Sequence, residues 1–328
     1  MKTLLDVQDL QVHFDTQGGS VQAVRGVSFS LVAGEILGVV GESGSGKSVS
    51  AHSLLKLLPA NGNIDEGRVL YQGEDVMQYS PDKLRQFRGA QTAIIFQEPG
   101  VSFDPIYPIG KALAETLRAH NPELSDQDVE ARSIELLEEV NIPQPRERLG
   151  NFPHQFSGGL LQRIMIALAL ASDPKILIAD EPTTALDVTI QAQIIALLLR
   201  LRRERNLAIV FITHNLALVS GIADRIMVMY GGLVMEQGTA DQVLKKPRHP
   251  YTRALLNSIL SLGAHHESQP LHVVPGNVPN PLRPEPGCPF APRCSRAIDE
   301  CRQAVPVIKK VDGGEHRCLF PFEAGGDQ

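Results

Sequence analysis

The sequence predicts an α/β protein: a largely parallel sheet with helices on both faces, followed by an irregular, cysteine-rich extension. Three observations carry this reading. Short apolar strands alternate with helical patterns over most of the chain. One of those strands runs into a glycine-rich loop, GESGSGKS at residues 41–48, and then into a helix. Beyond about residue 240 the texture turns to proline and cysteine.

The first segment alternates. Leu5, Val7 and the run from Leu10 to Val12 read as a strand, and so do residues 21–30, across a Gly-containing turn at 15–20. Residues 35–40 are nearly all apolar, which predicts a strand buried on both faces. The helix after the loop carries Leu54, Leu55, Leu57 and Leu58, and residues 92–96 predict another strand. Over 98–160 the character changes: proline and aromatic residues mark a loop at 99–108, and helical patterns at 110–119 and 126–140 read as a helical insertion. A helix at 157–171 returns the chain to a second apolar strand, 176–180. A helix (188–204), a strand (207–213), a helix (216–223) and a strand (225–230) complete the alternation. Helical patterns follow at 239–245 and 251–262. Residues 270–292 then hold eight of the 23 prolines, which excludes helix and central strand there. The expected division is 1–240 for the main body, with a helical subdomain at about 98–172, and 241–328 for the extension.

The 328 residues carry 31 Lys plus Arg against 37 Asp plus Glu, a net charge of −6. This mild acidity argues against a general nucleic-acid binder, which shows a basic face. No apolar run reaches the roughly 18 residues of a membrane span; the best, Ile164 to Ala171, is short and sits in a helical pattern. The N-terminal MKTLLDVQDL carries acids early and lacks a signal peptide's apolar core, so the chain is expected to stay in the cytosol.

GESGSGKS fits the pattern G-x-x-x-x-G-K-[ST] with Gly41, Gly46, Lys47 and Ser48. The chemistry needs those types: glycines let backbone N–H groups close around phosphate, Lys47 adds a point charge for the β and γ phosphates, and the Ser48 hydroxyl ligates Mg²⁺. A chance Gly/Ser loop is the bland alternative, and the strand before and helix after it argue against that. Strand 176–180 ends in Asp180-Glu181. A carboxylate at the strand end is placed to hold Mg²⁺, and the next carboxylate to polarise the attacking water. His214, after strand 207–213, and Gln97, after strand 92–96, are each weak signals taken alone.

Together GESGSGKS, Gln97, FSGGLLQR (156–163), ILIADEP (176–182), ALD (185–187) and His214 resemble the ATP-binding subunit of an ABC transporter over about residues 4–240. The resemblance implies an ABC-type phosphate-loop domain: a mainly parallel sheet with an antiparallel β subdomain and a helical subdomain. It implies that Gly41, Ser43, Gly44, Ser45, Gly46, Lys47, Ser48 and Val49 bind the nucleotide, with Gln97, and that Phe14 stacks on adenine. Mg²⁺ is assigned to Ser48, Gln97 and Asp180, and catalysis to Glu181 with His214 as the switch histidine. Ser157, Gly158, Gly159 and Gln162 belong to a signature segment serving the partner subunit's ATP, and Asp187 to the dimer seam. The fifth signature residue is Leu160 instead of the common Gln, which reads as branch identity.

The stretch PRHPYTRALLNSI (247–259) resembles the C-terminal extension of the dipeptide, oligopeptide and nickel importer branch. Cys288, Cys294, Cys301 and Cys318 follow in the pattern C-x5-C-x6-C-x16-C. A cytosolic location disfavours disulfides. Zinc is open, although close C-x2-C pairs are absent. A [4Fe–4S] cluster takes four thiolates, and the branch resemblance associates such a cluster with cysteines so spaced. Four free thiols remain the bland reading. A metal site would supply stability that a proline-rich, apolar-poor tail lacks.

The resemblance thus implies an ATPase subunit peripheral to the cytoplasmic face of the inner or plasma membrane. Its expected partners are a second, different ATPase subunit, two membrane-spanning permease subunits and, indirectly, a periplasmic or extracellular peptide-binding protein, with no nucleic acid. Di- or oligopeptides are the expected cargo, with nickel and glutathione open. The competing class is a soluble ATPase of the same superfamily acting on DNA or ribosomes; one cassette, no heptad run and the branch-type extension argue against it.

Overall fold

The computed structural model describes residues 3–258 and 274–323. In chain order the strands and helices are β1 (Thr3–Thr16), β2 (Gly19–Val32), β3 (Ile36–Val40), α1 (Lys47–Leu54), β4 (Gly62–Tyr71), β5 (Glu74–Asp75), α2 (Pro81–Ala90) and β6 (Thr92–Ile95). Then come α3 (Pro99–Ser102), α4 (Ile109–His120), α5 (Asp126–Glu139), α6 (Pro145–Arg148), α7 (Gly158–Leu170), β7 (Ile176–Asp180), α8 (Val188–Arg205) and β8 (Ala208–Thr213). The chain closes with α9 (Leu216–Ser220), β9 (Arg225–Tyr230), β10 (Leu233–Thr239), α10 (Ala240–Lys245), α11 (Pro250–Asn257), α12 (Glu300–Gln303), β11 (Lys309–Val311) and β12 (Gly314–His316).

The chain packs into two compact units. One comprises residues 32–34 and 78–210. In it β6 and β7 pair in parallel, Thr92 opposite Ile176, and every residue of β7 is buried. Helices α4, α5 and α7 pack on one another through Leu113, Leu117, Val129, Leu136, Leu137, Ile164 and Ile166, all nearly inaccessible. These are the helical patterns expected at 110–119 and 126–140. The loop expected at 99–108 contains the single turn α3. The sequence reading passed over α2, although Ser80 caps it and Pro81 opens it, a recognisable start signal.

The second unit holds residues 3–31, 35–77 and the chain from 211 onward. Its first sheet has the order β2-β1-β4-β5, with β1 and β4 antiparallel, Leu5 opposite Tyr71 and Phe14 opposite Gly62. This is the antiparallel β subdomain. β4 (GNIDEGRVLY) escaped the sequence reading because its first half is polar and exposed in pattern; pairing with β1 makes it a strand. The other strands begin with a parallel pair, β3 beside β9, Leu37 opposite Arg225. β10 adds antiparallel to β9, and the hairpin β11–β12 adds to β10, Glu236 opposite His316. That hairpin also went unpredicted. Asp312 and Gly313 turn it with φ of +52° and +80°, the conformation that favours such a pair.

The extension's helix α11 ends at Asn257; the rest of the helix expected to 262 lies mostly outside the described residues. No helix among the described residues is long and apolar enough to cross a membrane.

Candidate functional site

In the second unit, β3 delivers the chain into residues 41–48 and α1 leaves from them. Gly41 is required by a close approach: a Cβ there would lie 2.2 Å from the Met229 carbonyl oxygen. Gly46 caps α1 with φ +97°, a left-handed value that glycine accepts without strain, and no side chain caps the helix. The first-turn amides are therefore not taken by a side-chain cap, and no acid sits in that turn. A helix start of this kind favours an anion. Lys47 is buried, 6% exposed, and its ammonium donates to the carbonyls of Gly41 (2.8 Å) and Glu42 (3.0 Å). Ser43 and Gly44 are exposed, Ser45 is buried, and Ser48 and Val49 are half-buried. Phe14 is half-buried over Gly62, where a Cβ would meet its ring at 2.7 Å. His214 is exposed directly beyond β8, before Asn215, whose side chain accepts from the Ala217 N–H and caps α9.

In the first unit, β7 ends on Asp180, 2% exposed. Glu181 turns the corner with φ +47°, a value L-residues rarely hold, and the turn is closed by the Thr184 N–H to Glu181 C=O bond of 3.1 Å. The Glu181 carboxylate accepts from the Thr184 hydroxyl at 2.8 Å and from the Gln97 amide at 3.4 Å. A close neighbour in sequence, Thr184, and a distant one, Gln97, thus meet at one Glu181 carboxylate oxygen. Asp187 caps α8, accepting from the Ile190 N–H at 3.0 Å. Ser157 caps α7 by accepting from the Leu160 N–H, and Ser157 and Gly158 are exposed at that helix start. Gly159 is buried because α7 sits on α8: a Cβ would come within 2.6 Å of Ile190. Gln162 is 2% exposed and faces inward one turn into α7, buried like Gly159 and unlike Ser157 and Gly158. Its amide nitrogen finds no hydrogen-bond partner among the described residues.

The extension belongs to the second unit. Cys288, Cys294, Cys301 and Cys318 are all free thiols, and all four line one cavity with Phe290 and Pro306. The Cys288 N–H donates to the Cys301 carbonyl at 2.8 Å. Burial pushes the Cys288 and Cys318 thiols up to about 11, and the neighbouring cysteines add to both shifts. Among the described residues, no three His, Cys, Asp or Glu side chains are grouped as the ligands of a single metal ion would be.

The sequence reading missed the residues behind the phosphate loop. Tyr251 accepts from the Glu42 N–H at 3.0 Å, and Arg293 pairs with the Glu42 carboxylate at 2.7 Å. HPYT (249–252), within PRHPYTRALLNSI, contains Tyr251 but marks only the branch, and no sequence signal points to Arg293.

A strand, a phosphate loop and a helix, with a strand-end acid pair elsewhere in the chain, define a phosphate-loop ATPase. The profile of the ABC transporter family matches residues 24–184, and that of the oligopeptide/dipeptide transporter C-terminal region matches residues 235–301. The oligopeptide transport ATP-binding protein OppD of Escherichia coli (strain K12) is 47% identical over 320 residues, spanning 98% of this chain and 94% of that protein. OppD of Bacillus subtilis (strain 168) is 46% identical over 311 residues, 94% of this chain and 86% of that one. Among solved structures, the dimeric bacterial ABC transporter cassette MJ0796 is similar with a TM-score of 0.64 at 25% identity, covering 72% of this chain and 98% of that chain. The cbiO1 cassette of Clostridium perfringens gives 0.63 at 26%, over 75% and 92%. The chain belongs to the ABC transporter family of ATP-binding subunits, in its oligopeptide/dipeptide branch. It is an ATPase that takes ATP with Mg²⁺.

Proposed function

We propose that this subunit powers uptake of oligopeptides by hydrolysing ATP at the cytoplasmic face of the membrane. The observation that carries the reading is the pairing of a complete phosphate loop, with buried Lys47, and a branch-type extension in one chain. Residues 41–49 hold the phosphates through backbone N–H groups and the Lys47 charge, and Phe14 stacks on the adenine. Ser48 offers its hydroxyl to Mg²⁺, and Asp180 and Gln97 are proposed as its further oxygen donors. Asp180, a hard carboxylate at a strand end, suits it. Mg²⁺ when bound neutralises charge on the phosphates. Glu181 polarises the attacking water, with Thr184 and Gln97 orienting its carboxylate. His214 senses the γ-phosphate. Ser157, Gly158 and Gly159 serve the nucleotide of a second, different ATPase subunit, with Asp187 at that seam.

The partners are two permease subunits and, through them, a peptide-binding protein outside the membrane. Proteoliposomes carrying the permease pair and both ATPase subunits should accumulate labelled oligopeptide with ATP, and stop with Glu181→Gln. Uptake of nickel or glutathione instead would redirect the cargo.

The four cysteines are proposed as the ligands of a [4Fe–4S] cluster. The support is a single cavity lined by all four thiols. Bound, the cluster supplies four metal–thiolate bonds that tie the extension together. Iron and sulfide near four each per chain, in protein purified without oxygen, would support this. Zinc alone would recast the extension as zinc-stapled.

A further inference from the structure

We infer that Arg293 and Tyr251 are positioning residues for the phosphate loop, so that nucleotide affinity is set in part by the C-terminal extension. Glu42 is the second residue of GESGSGKS and the only acid in it. It is held at both its backbone and its side chain. Its N–H donates to the Tyr251 hydroxyl at 3.0 Å. Its carboxylate accepts from Arg293 Nη1 at 2.7 Å. The pair is well shielded, with side chains 7% and 24% exposed, so solvent weakens it far less than a surface ion pair.

Neither holder is mobile by its own chemistry. Arg293 Nη1 also donates to the Tyr230 hydroxyl at 2.9 Å, Nε donates to the Pro275 carbonyl at 2.8 Å, and Nη2 to the Val274 carbonyl at 3.1 Å. Its planar fork is thereby aimed. Tyr251 is fully buried in the first turn of α11, its ring packed against Tyr230 (centroids 4.6 Å) and Phe290 (5.2 Å). Its own N–H is taken by His249 Nδ1 at 3.0 Å.

The consequence follows from what the loop must do. Its amides bind phosphate only when they converge, and a loop with three glycines has many other conformations to visit. Fixing Glu42 removes those conformations before the ligand arrives, which is preorganisation. Lys47 donates to the Glu42 carbonyl, so the same residue links the extension to the phosphate-binding ammonium. Arg293 lies between Cys288 and Cys294, and Tyr251 lies in the HPYT segment. Both features that mark the extension therefore reach the loop through one residue.

This inference rests on residues 41–48 being the ATP phosphate loop, and Lys47→Ala tests that separately. The experiment measures binding of a fluorescent ATP analogue to the full-length chain, with the thermal unfolding midpoint recorded for each variant. Tyr251→Phe keeps the ring and deletes only the acceptor. It should bind about three- to tenfold more weakly, with an unchanged midpoint. Arg293→Gln and Glu42→Gln should each weaken binding by a similar factor, and the double variant should be no weaker than the worse single one. Wild-type affinity in Tyr251→Phe, or Arg293 and Glu42 effects that multiply, would overturn the inference while loss of binding in Lys47→Ala kept the phosphate loop intact. Arg293→Gln could unsettle the extension; Glu42→Gln and Tyr251→Phe reach the same contacts without touching its carbonyl ties.

Discussion

Two helix starts in this molecule look alike in sequence, glycine-rich and serine-bearing, yet they are built differently. At α1 the capping residue is a left-handed glycine, no side chain caps the helix, a lysine is buried in the first turn, and the loop is held from behind by Tyr251 and Arg293. At α7 the helix is capped by its own Ser157, and its first turn carries no charge. The first start has what phosphate binding requires within this chain. The second offers a hydroxyl and exposed backbone but no cation of its own. A glycine-rich helix start becomes an anion site through what surrounds it. The α1 start is braced and charged; the α7 start, proposed to serve another subunit's nucleotide, is exposed at Ser157 and Gly158.

The strongest substitution effect separates binding from turnover. In the assembled transporter, Glu181→Gln should cut ATP hydrolysis by about 10²- to 10⁴-fold and leave nucleotide affinity intact, as filter binding and phosphate release will report. Hydrolysis at wild-type rates would remove Glu181 from the chemistry. Lys47→Ala removes a buried charge and should weaken ATP binding by about a hundredfold, measured by calorimetry on the full-length chain. An equal loss from Ser157→Ala in the isolated chain would abolish the distinction between the two helix starts.

A smaller effect comes from pH. His249, which caps α11 and orders Tyr251, is fully buried, and burial lowers its pKa from 6.5 to about 3, helped by the His316 ring. The folded chain therefore keeps it neutral where the unfolded chain protonates it. Its contribution to stability is complete above about pH 6.5 and is lost as the pH falls toward 3, with a slope approaching about 1.4 kcal/mol per unit. His316, also lowered by burial, acts in the same direction, whereas Glu236, whose pKa burial raises, acts oppositely. Urea unfolding at pH 7, 6 and 5 should show this, and His249→Asn, which keeps a capping acceptor, should flatten the slope. An identical slope in the variant would assign the dependence elsewhere. Least of all, Ser157→Ala should cost about 1 kcal/mol of stability through the lost cap, and Ser157→Asp should restore it, by the same denaturation assay.

Much of the site was legible because its chemistry constrains residue types at fixed spacing. Lys47 must follow the loop's last glycine, and Asp180-Glu181 must end an apolar strand. Elements whose identity depends on a distant partner were not legible. β4 is polar over half its length and becomes a strand only against β1. Gln162 turns inward because a helix rotates about 100° per residue, an orientation that its neighbours in sequence do not reveal.

By itself the sequence determined the alternation of strands and helices, the phosphate loop, the acid pair at the end of β7 and the four cysteines, since each rests on local pattern. Packing of the folded chain is what gathers the cysteines around one cavity, brings Gln97 and Thr184 to Glu181, and closes Tyr251 and Arg293 on Glu42. Those contacts join residues as much as 251 positions apart. Nothing in a local pattern encodes such a distance; it follows from packing, which brings buried polar groups together because each must find a partner.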